Sequence, residues 1–278
     1  MVAVAAAAAC FELNQLAQHR PAQAPESGAK QDAKADEQLS RKERKKLKAE
    51  AREAQAEDES PTITGATLVS AGAAFLLPLL QFSPMGLLNP ESVLMGVGIL
   101  AFLDALFFET DLPRTPHRVG LAVLGAVYCG LAMAALVHLR ALENGAYWIV
   151  LTLVVTWFND TGAYFAGRAF GKHKLFERIS PKKTWEGAIG GFLACIAGGV
   201  GVQMLFLHEV PVWGAAVIGA AAGIAGPLGD LGESMLKRAY GVKDSGKLLP
   251  GHGGMLDRID ALLFTAPVVW LLAQVLGF

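Results

Sequence analysis

The sequence predicts an all-α, polytopic membrane protein with about seven transmembrane helices. Three observations lead to this fold class. The 278 residues are 53% hydrophobic and only 18% charged, with a mean hydropathy of +0.39. From Thr62 onward the apolar residues form long runs, several of them near the roughly 20 residues that cross the hydrocarbon core of a bilayer. Short polar stretches separate these runs and hold most of the charged side chains of this part of the chain.

The first 61 residues differ from the rest. Met1–Phe11 is apolar and rich in Ala, but it is too short to span a membrane and lacks the basic residues that precede a signal peptide. A start site inside a longer gene, or a plastid-type leader, would explain this segment. Residues 19–61 are dense in charge and nearly without aromatic residues, so they cannot bury a core. We expect residues 1–61 to form a truncated-looking apolar start and a disordered cytoplasmic loop, followed by a catalytic membrane domain over residues 62–278.

A basic run at residues 41–48 lies within this charged loop. One interpretation is a polybasic patch at anionic lipid headgroups, where each Lys or Arg contributes about 1 kcal/mol. The sequence favours the other interpretation, a solvated and partly helical loop.

Seven apolar segments are the candidate spans. They cover residues 63–82, 91–108, 118–138, 145–168, 186–207, 211–236 and 253–277. The loops on one side of this arrangement hold 22 Lys and Arg residues, whereas the loops on the other side hold one, Arg140. By the positive-inside rule the basic side is cytoplasmic. The alternation supports the count of seven, because one missed span would scramble it.

The cysteines and the net charge bear on the possible cofactors and partners. Cys10, Cys129 and Cys195 are far apart in apolar surroundings, so we expect neither a disulfide framework nor a zinc site. The net charge of −1 is uninformative by itself because the two signs are segregated along the chain. We expect no nucleic-acid partner.

Asn159 and Asp160 interrupt the fourth apolar segment. A carboxylate at this depth costs a few kcal/mol on insertion scales. Asp160 is therefore either a helix-packing residue or, as we favour, a functional acid that lines a cavity.

The loop after this segment combines glycines with basic residues. Glycine lets the backbone approach a ligand, lysines supply positive charge for phosphates, and Ser180 or Thr184 can cap the next helix. An ordinary cytoplasmic loop would explain the charges but not the paired glycines or the Lys-Lys-Thr-Trp-Glu cluster. The candidate phosphate-binding residues here are Lys172, Lys182, Lys183, Thr184 and Glu186.

The highest density of polar residues lies where the sixth segment ends and the seventh begins. Asp230, Glu233 and Lys237 share a helix face, and so do Asp257 and Asp260. Carboxylates from two neighbouring helices, without paired His or Cys, form a hard-oxygen site suited to Mg²⁺ that also binds substrate phosphates. The alternative is a set of ion pairs, Asp230 with Lys237 or Asp257 with Arg258, but ion pairs do not require the neighbouring Gly-His-Gly-Gly.

Two further residues bear on this region. His252 is a metal ligand, a general base or a phosphate donor, and the flanking glycines favour a phosphate-binding turn. Pro227 predicts a kink or a break in the sixth span, which is tolerated where backbone is buried in protein or lines a cavity.

This region resembles the signature of the phosphatidate cytidylyltransferases (CDP-diacylglycerol synthases). A dozen positions over 27 residues follow the family pattern in order and spacing, and the stretch from Asp160 to Gly187 is also similar to the family. Members of the family differ from this chain in the N-terminal part, where they usually have further spans and a short loop. The matching signature positions are Ser234, Lys237, Arg238, Lys243, Asp244, Pro250, His252, Gly253, Gly254, Asp257, Arg258 and Asp260.

The resemblance implies that CTP and phosphatidic acid react to CDP-diacylglycerol and pyrophosphate with Mg²⁺, and that Asp230 and Asp257 hold the metal. The expected catalytic residues are Asp230, Lys237, Arg238, Asp257 and Asp260. The expected substrate-binding residues are Asp160 and the five loop residues above, with Ser234, Lys243, Asp244, His252, Gly253, Gly254 and Arg258. The expected location is a bacterial inner membrane rather than an organellar one, with membrane lipid as surroundings and a homodimer as a further option.

Two other function classes are less well supported. A CDP-alcohol phosphotransferase would need an Asp-Gly-x-x-Ala-Arg helix, and no such string occurs. A transporter of a phosphorylated solute would also have broken helices and charges at membrane depth, but the sequence has no inverted repeat and its charges crowd at one face.

Overall fold

The computed structural model describes residues 1–16, 64–82, 89–108, 112–246, 248, 251 and 253–278. Within these ranges the chain forms eight helices and one short hairpin. The first four helices are α1 (Val2–Leu16), α2 (Gly65–Leu76), α3 (Pro90–Phe108) and α4, which runs through Thr115–Gly125, a π-helical Ala126–Leu131 and Ala132–Ala141. The remaining elements are α5 (Gly145–Phe170), β1 (Lys174–Phe176), β2 (Ser180–Thr184), α6 (Trp185–Phe206), α7 (Val212–Ala239) and α8 (Leu256–Leu276).

Six of these helices, α3 to α8, are long and apolar enough to cross a membrane, counted over the described residues. This confirms the predicted class of all-α polytopic membrane protein. Seven spans were predicted, and the one that is not found is the first, residues 63–82. Its described part contains only the twelve-residue α2 and a 3₁₀ segment, Leu77–Phe82. Pro78 has no N–H to donate to the preceding turn, and the α-helix ends at Leu76, two residues before it.

The apolar start of the chain is part of the core. Ala6, Ala9, Leu13 and Leu16 are buried on α1, which packs against α2, α4 and α8. The predicted disorder of residues 19–61 concerns a stretch that lies outside the described residues. The predicted domain boundary at 61/62 stays a prediction.

Helices α5 and α6 pack along each other through small residues. A side chain added at Gly162 would meet Ala194, and one added at Gly190 would meet Ala166. Glycine at these two positions lets the backbones approach closely, as is common between helices in membranes. The close packing fixes the far end of α5 beside the start of α6, where the hairpin connects them.

Helix α7 continues through Pro227 without a break, contrary to one of the two predicted outcomes. Proline has no N–H, so the carbonyl of Gly223 lacks its partner in the helix. The Asn159 side chain of α5 donates to this carbonyl at 3.2 Å (Nδ2 to O). Asn159 is buried, so this is the helix-packing hydrogen bond that the sequence left open for the Asn159–Asp160 pair. A neighbouring helix thus supplies the donor that proline removes.

The connection between α5 and α6 was expected to be a loop but contains an antiparallel hairpin of β1 and β2, which pairs Lys174 with Thr184. Thr184 is also the N-cap of α6, since its Oγ1 accepts from the Gly187 N–H at 3.2 Å. The predicted cap is confirmed, and it ties the hairpin to the helix that follows.

Candidate active site

Three parts of the chain meet at one end of the helix bundle. They are the last turns of α7, the first turn of α8 with the loop that precedes it, and the hairpin between α5 and α6. The contacts among them bring together most of the predicted site residues that the structure describes.

Lys237 lies between two carboxylates. Its Nζ is 2.5 Å from Glu233 Oε2 on the same helix and 2.6 Å from Asp257 Oδ1 on α8. The side chains of Glu233, Lys237 and Asp257 are 0%, 12% and 14% exposed. The predicted alternative of an Asp230–Lys237 pair is replaced by this bridge between helices, because Glu233 and not Asp230 faces the lysine.

Asp257 accepts three more hydrogen bonds on its second oxygen. Oδ2 accepts from the Ser245 N–H at 2.9 Å, from Ser245 Oγ at 3.0 Å and from the Gly254 N–H at 3.1 Å. A buried carboxylate is stable only when its charge is met by such donors. The loop between α7 and α8 is therefore folded around Asp257.

Gly253 and Gly254 have distinct physical reasons to be glycine. Gly253 has φ of +81°, a conformation that other residues rarely adopt. Gly254 is buried, and a side chain there would collide with Ser245 Oγ. The pair shapes the turn that presents the Gly254 N–H to Asp257.

The hairpin reaches the helices through Lys183. Its Nζ lies 2.6 Å from Asp230 Oδ2 and 3.4 Å from the Pro227 carbonyl oxygen, both on α7. Ser234 Oγ lies 3.3 Å from the other Asp230 oxygen. The side chains of Lys183 and Asp230 are 24% and 34% exposed, so this pair is open to a ligand from the solvent side.

Asp160, Asp230 and Asp260 come from three helices and approach one another. Asp230 is near enough for its charge to act on both of the other carboxylates. Asp160 is exposed, whereas Asp260 is half-buried and accepts from the Ala261 N–H at 2.7 Å. The structure thus places Asp160 beside the site, while its neighbour Asn159 serves packing.

Glu186 organises the base of the hairpin. Its carboxylate accepts from the backbone N–H groups of Lys172 and His173 at 3.1 and 3.3 Å, and one oxygen lies 2.6 Å from His173 Nδ1. The Lys172 side chain is exposed beside it. Glu186 is a predicted substrate-binding residue, and in the structure it holds the turn that carries the basic side chains.

The other predicted residues that the structure describes are exposed. Arg238 is exposed and donates to the Val242 carbonyl at 2.9 Å. His252 lies outside the described residues, so its three candidate roles stay open. The remaining exposed residues are Lys182, Lys243, Asp244 and Arg258.

Sequence reasoning did not assign roles to three residues of this region. Glu233 was named only as sharing a helix face with Asp230 and Lys237, and Ser245 was given no role. Glu12 of α1 reaches the same loop and was missed. The available signal was an ionisable residue in an otherwise apolar helix, which marks a functional candidate in a membrane protein.

The acidic residues fit a hard divalent cation by their donor chemistry. The carboxylates of Asp160, Asp230 and Asp260 are near enough to act on one another electrostatically, and positive charge relieves such mutual repulsion. Asp257 Oδ1 is held by one lysine amine that a cation could replace. In the described part of the chain no three His, Cys, Asp or Glu side chains are already arranged as a coordination shell.

Comparison with known proteins identifies one family. Residues 50–276 match the cytidylyltransferase family. The chain is 39% identical over 201 residues to the phosphatidate cytidylyltransferase of Bacillus subtilis (strain 168), covering 71% of this chain and 74% of the relative. It is 45% identical over 190 residues to the phosphatidate cytidylyltransferase of Brucella suis biovar 1 (strain 1330), covering 68% and 69%.

The fold and the site define a polytopic membrane protein with a carboxylate and lysine centre at one end of its helix bundle. The family match covers well over half of the chain, and both relatives are matched over more than two thirds of their length. The chain belongs to the cytidylyltransferase family.

Proposed function

We propose that this protein is a phosphatidate cytidylyltransferase, an enzyme of phospholipid biosynthesis that transfers CMP from CTP to phosphatidic acid and releases pyrophosphate. The observation that carries the proposal is the bridge of Lys237 between Glu233 and Asp257, with Asp230 and Lys183 beside it. This centre lies within the matched residues 50–276, at the end of helices that are long enough to span a membrane.

In this reaction a phosphate oxygen of phosphatidic acid attacks the α-phosphorus of CTP. The new bond joins that oxygen to the α-phosphorus, and the bond to the bridging oxygen of pyrophosphate breaks. The attacking oxygen is already an anion, so the site needs no strong base. It needs positive charge near the phosphates and in-line alignment, which Lys183, Lys237 and Arg238 supply from two sides.

Mg²⁺ is part of the proposal. Asp230 and Asp257 would hold it, with Asp160 and Asp260 as neighbouring acids. A bound Mg²⁺ supplies Lewis-acid stabilisation of the negative charge on the transferring phosphate. The hard-oxygen donor set and the absence of Cys among these residues support this metal over softer ones.

We place the site on the cytoplasmic side of a bacterial inner membrane. The support is the strong excess of Lys and Arg in the loops at the same end as the site, together with the bacterial source of the two relatives. A homodimer stays a prediction.

Incorporation of radiolabelled CTP into lipid by the purified protein tests the function. The protein in detergent with phosphatidic acid and Mg²⁺ is expected to form labelled CDP-diacylglycerol, and chelation of Mg²⁺ is expected to abolish the product. Incorporation that requires an added lipid alcohol instead would indicate a phosphotransferase, and binding of a phosphorylated solute without product would indicate a transporter.

Asp257→Asn provides the residue-level test. We expect a loss of about 10³-fold in turnover, because the variant removes the negative charge that is proposed to hold Mg²⁺ and that pairs with Lys237. Glu143→Gln, an exposed acid outside the site, is the matched control and keeps its turnover. Near-normal turnover in the Asp257 variant, with the folded protein recovered equally, would refute the assignment.

A further inference from the structure

Glu12 of α1 extends a carboxylate into the loop between α7 and α8. Its Oε2 accepts from the Leu256 N–H at 2.9 Å and lies 3.2 Å from Ser245 Oγ. Glu12 is 2% exposed. A buried carboxylate is costly unless donors meet its charge. These contacts meet the charge at Oε2, whereas Oε1 has no hydrogen-bond partner among the described residues.

The Leu256 N–H belongs to the first turn of α8, where backbone N–H groups have no partner within the helix. The N-cap residue, Met255, provides no side-chain acceptor. Glu12 of α1, 244 positions away in sequence, supplies the acceptor instead. A negative charge is also favoured at this end of a helix by the helix dipole.

Both residues that contact Glu12 are directly connected to Asp257 of the active site. Ser245, which faces Glu12, donates its backbone N–H to Asp257 and holds its hydroxyl 3.0 Å from the same Asp257 oxygen. Leu256, whose N–H donates to Glu12, is the residue directly before Asp257. Glu12 therefore holds both the loop residue that orients Asp257 and the backbone from which Asp257 projects.

The loop is shaped to admit this carboxylate. A side chain added at Gly246 would meet Glu12 Oε1, and one added at Gly254 would meet Glu12 Oε2. Two loop glycines thus leave the space that one buried acid occupies. This complementarity distinguishes Glu12 from an acid that is buried by accident.

Helix α1 does not need Glu12 in order to dock. Its apolar side chains are buried in the core. Asn14 makes polar contacts that do not involve Glu12, donating to the Cys10 carbonyl at 2.9 Å and to Ser70 Oγ at 3.3 Å. Among the described residues, Asn14 has no hydrogen bond to the α7–α8 loop. It is therefore a matched control, a buried polar residue on the same helix that faces a different neighbour.

We propose that Glu12 is a positioning residue of the cytidylyltransferase site, which anchors the α7–α8 loop and the first turn of α8 so that Asp257 faces Lys237. The proposal rests on the proposed function for its effect on turnover. The family match spans residues 50–276 and assigns nothing to α1. Glu12 acts through Ser245 and Leu256, and it touches no substrate in this role.

Hydrogen exchange and turnover test the proposal on the full-length protein in detergent. In the metal-free and substrate-free protein, Glu12→Ala is expected to speed exchange in the peptide containing Gly254 and Leu256 by about tenfold, because it removes the acceptor of the Leu256 N–H. Turnover is expected to fall by about 10- to 100-fold with the KM for CTP nearly unchanged, because misplacing a reacting group affects the chemical step more than binding. Asn14→Ala should leave exchange in that peptide unchanged.

Glu12→Gln serves where the alanine variant is not recovered folded. Its amide oxygen can still accept from Leu256, so exchange and turnover should lie between those of the wild type and Glu12→Ala. Wild-type exchange and turnover in the Glu12 variants, or an equal effect of Asn14→Ala on the same peptide, would overturn the proposal. If the wild-type protein forms no CDP-diacylglycerol, the proposed function fails, and the exchange measurement still decides whether Glu12 anchors the loop.

Discussion

The loop and helix ends around Asp257 and the hairpin between α5 and α6 are both rich in charge, yet they differ in how those charges are held. Lys237 and Asp257 are almost wholly buried, and each has at least two charged or polar partners. Lys172 and Lys182 of the hairpin region are exposed. A buried charged group is held in one position, whereas an exposed one is mobile and salt screens its interactions beyond about 10 Å at 0.1 M ionic strength.

This difference assigns different tasks to the two regions. The buried network sets the position of a carboxylate before any substrate binds, which is what in-line phosphoryl chemistry requires. We expect the hairpin to provide positive charge that would attract the phosphates of a nucleotide. Lys183 belongs to both regions, since it starts in the hairpin and ends on Asp230 of α7.

Lys237→Met is expected to give the largest effect among the variants that separate the two regions. It leaves two buried carboxylates facing each other, so we expect a turnover loss of about 10²- to 10³-fold and a lower unfolding temperature. Adding Glu233→Gln should restore part of the unfolding temperature but not the turnover. Recovery of turnover in the double variant would show that Lys237 serves stability alone.

Lys183→Ala is expected to lower kcat/KM for CTP by about 10- to 100-fold, because it removes the positive charge through which the hairpin contacts Asp230. Lys174→Ala is the matched control. Lys174 is on the same hairpin, but its amine bonds to the Pro181 carbonyl and not to an acid of the site. Equal losses in the two variants would indicate that only the folding of the hairpin was affected.

The double variant Lys172→Ala and Lys182→Ala is expected to raise the KM for CTP by a few-fold at low salt, with kcat nearly unchanged, because exposed charges steer a ligand more than they align it. Measurement of KM across a salt series checks this. The wild-type KM should rise with salt and approach that of the double variant, and a constant difference at all salt concentrations would contradict the prediction.

Thr184→Ala is expected to have the smallest effect. It removes the side-chain cap of α6 and should destabilise the protein by about 1 kcal/mol. Thermal unfolding in detergent measures this, with a shift of about 2 to 4 °C for a chain of this size. Thr184→Ser keeps the hydroxyl and should unfold close to the wild type, so a similar shift in both variants would argue against the cap.

Most of the fold could be predicted from the sequence because apolar runs of spanning length have few alternatives in a bilayer. The predicted spans from 91–108 to 253–277 correspond to α3 through α8. The prediction was less accurate where local rules compete. Pro78 follows the end of α2, whereas Pro227 lies within an unbroken α7 because Asn159 of another helix satisfies the carbonyl that it leaves free.

By itself the sequence determined the class of the protein, the two clusters of polar residues and the family signature, since these depend on composition and on spacing along one chain. The tertiary structure decided which charges meet. Lys237 bonds to Asp257, Asp230 bonds to Lys183, and Glu12 reaches Leu256 from the other end of the chain. Partners on different helices are chosen by packing and by the need of each buried charge for a counter-group, and neither is encoded in the spacing of residues along one helix.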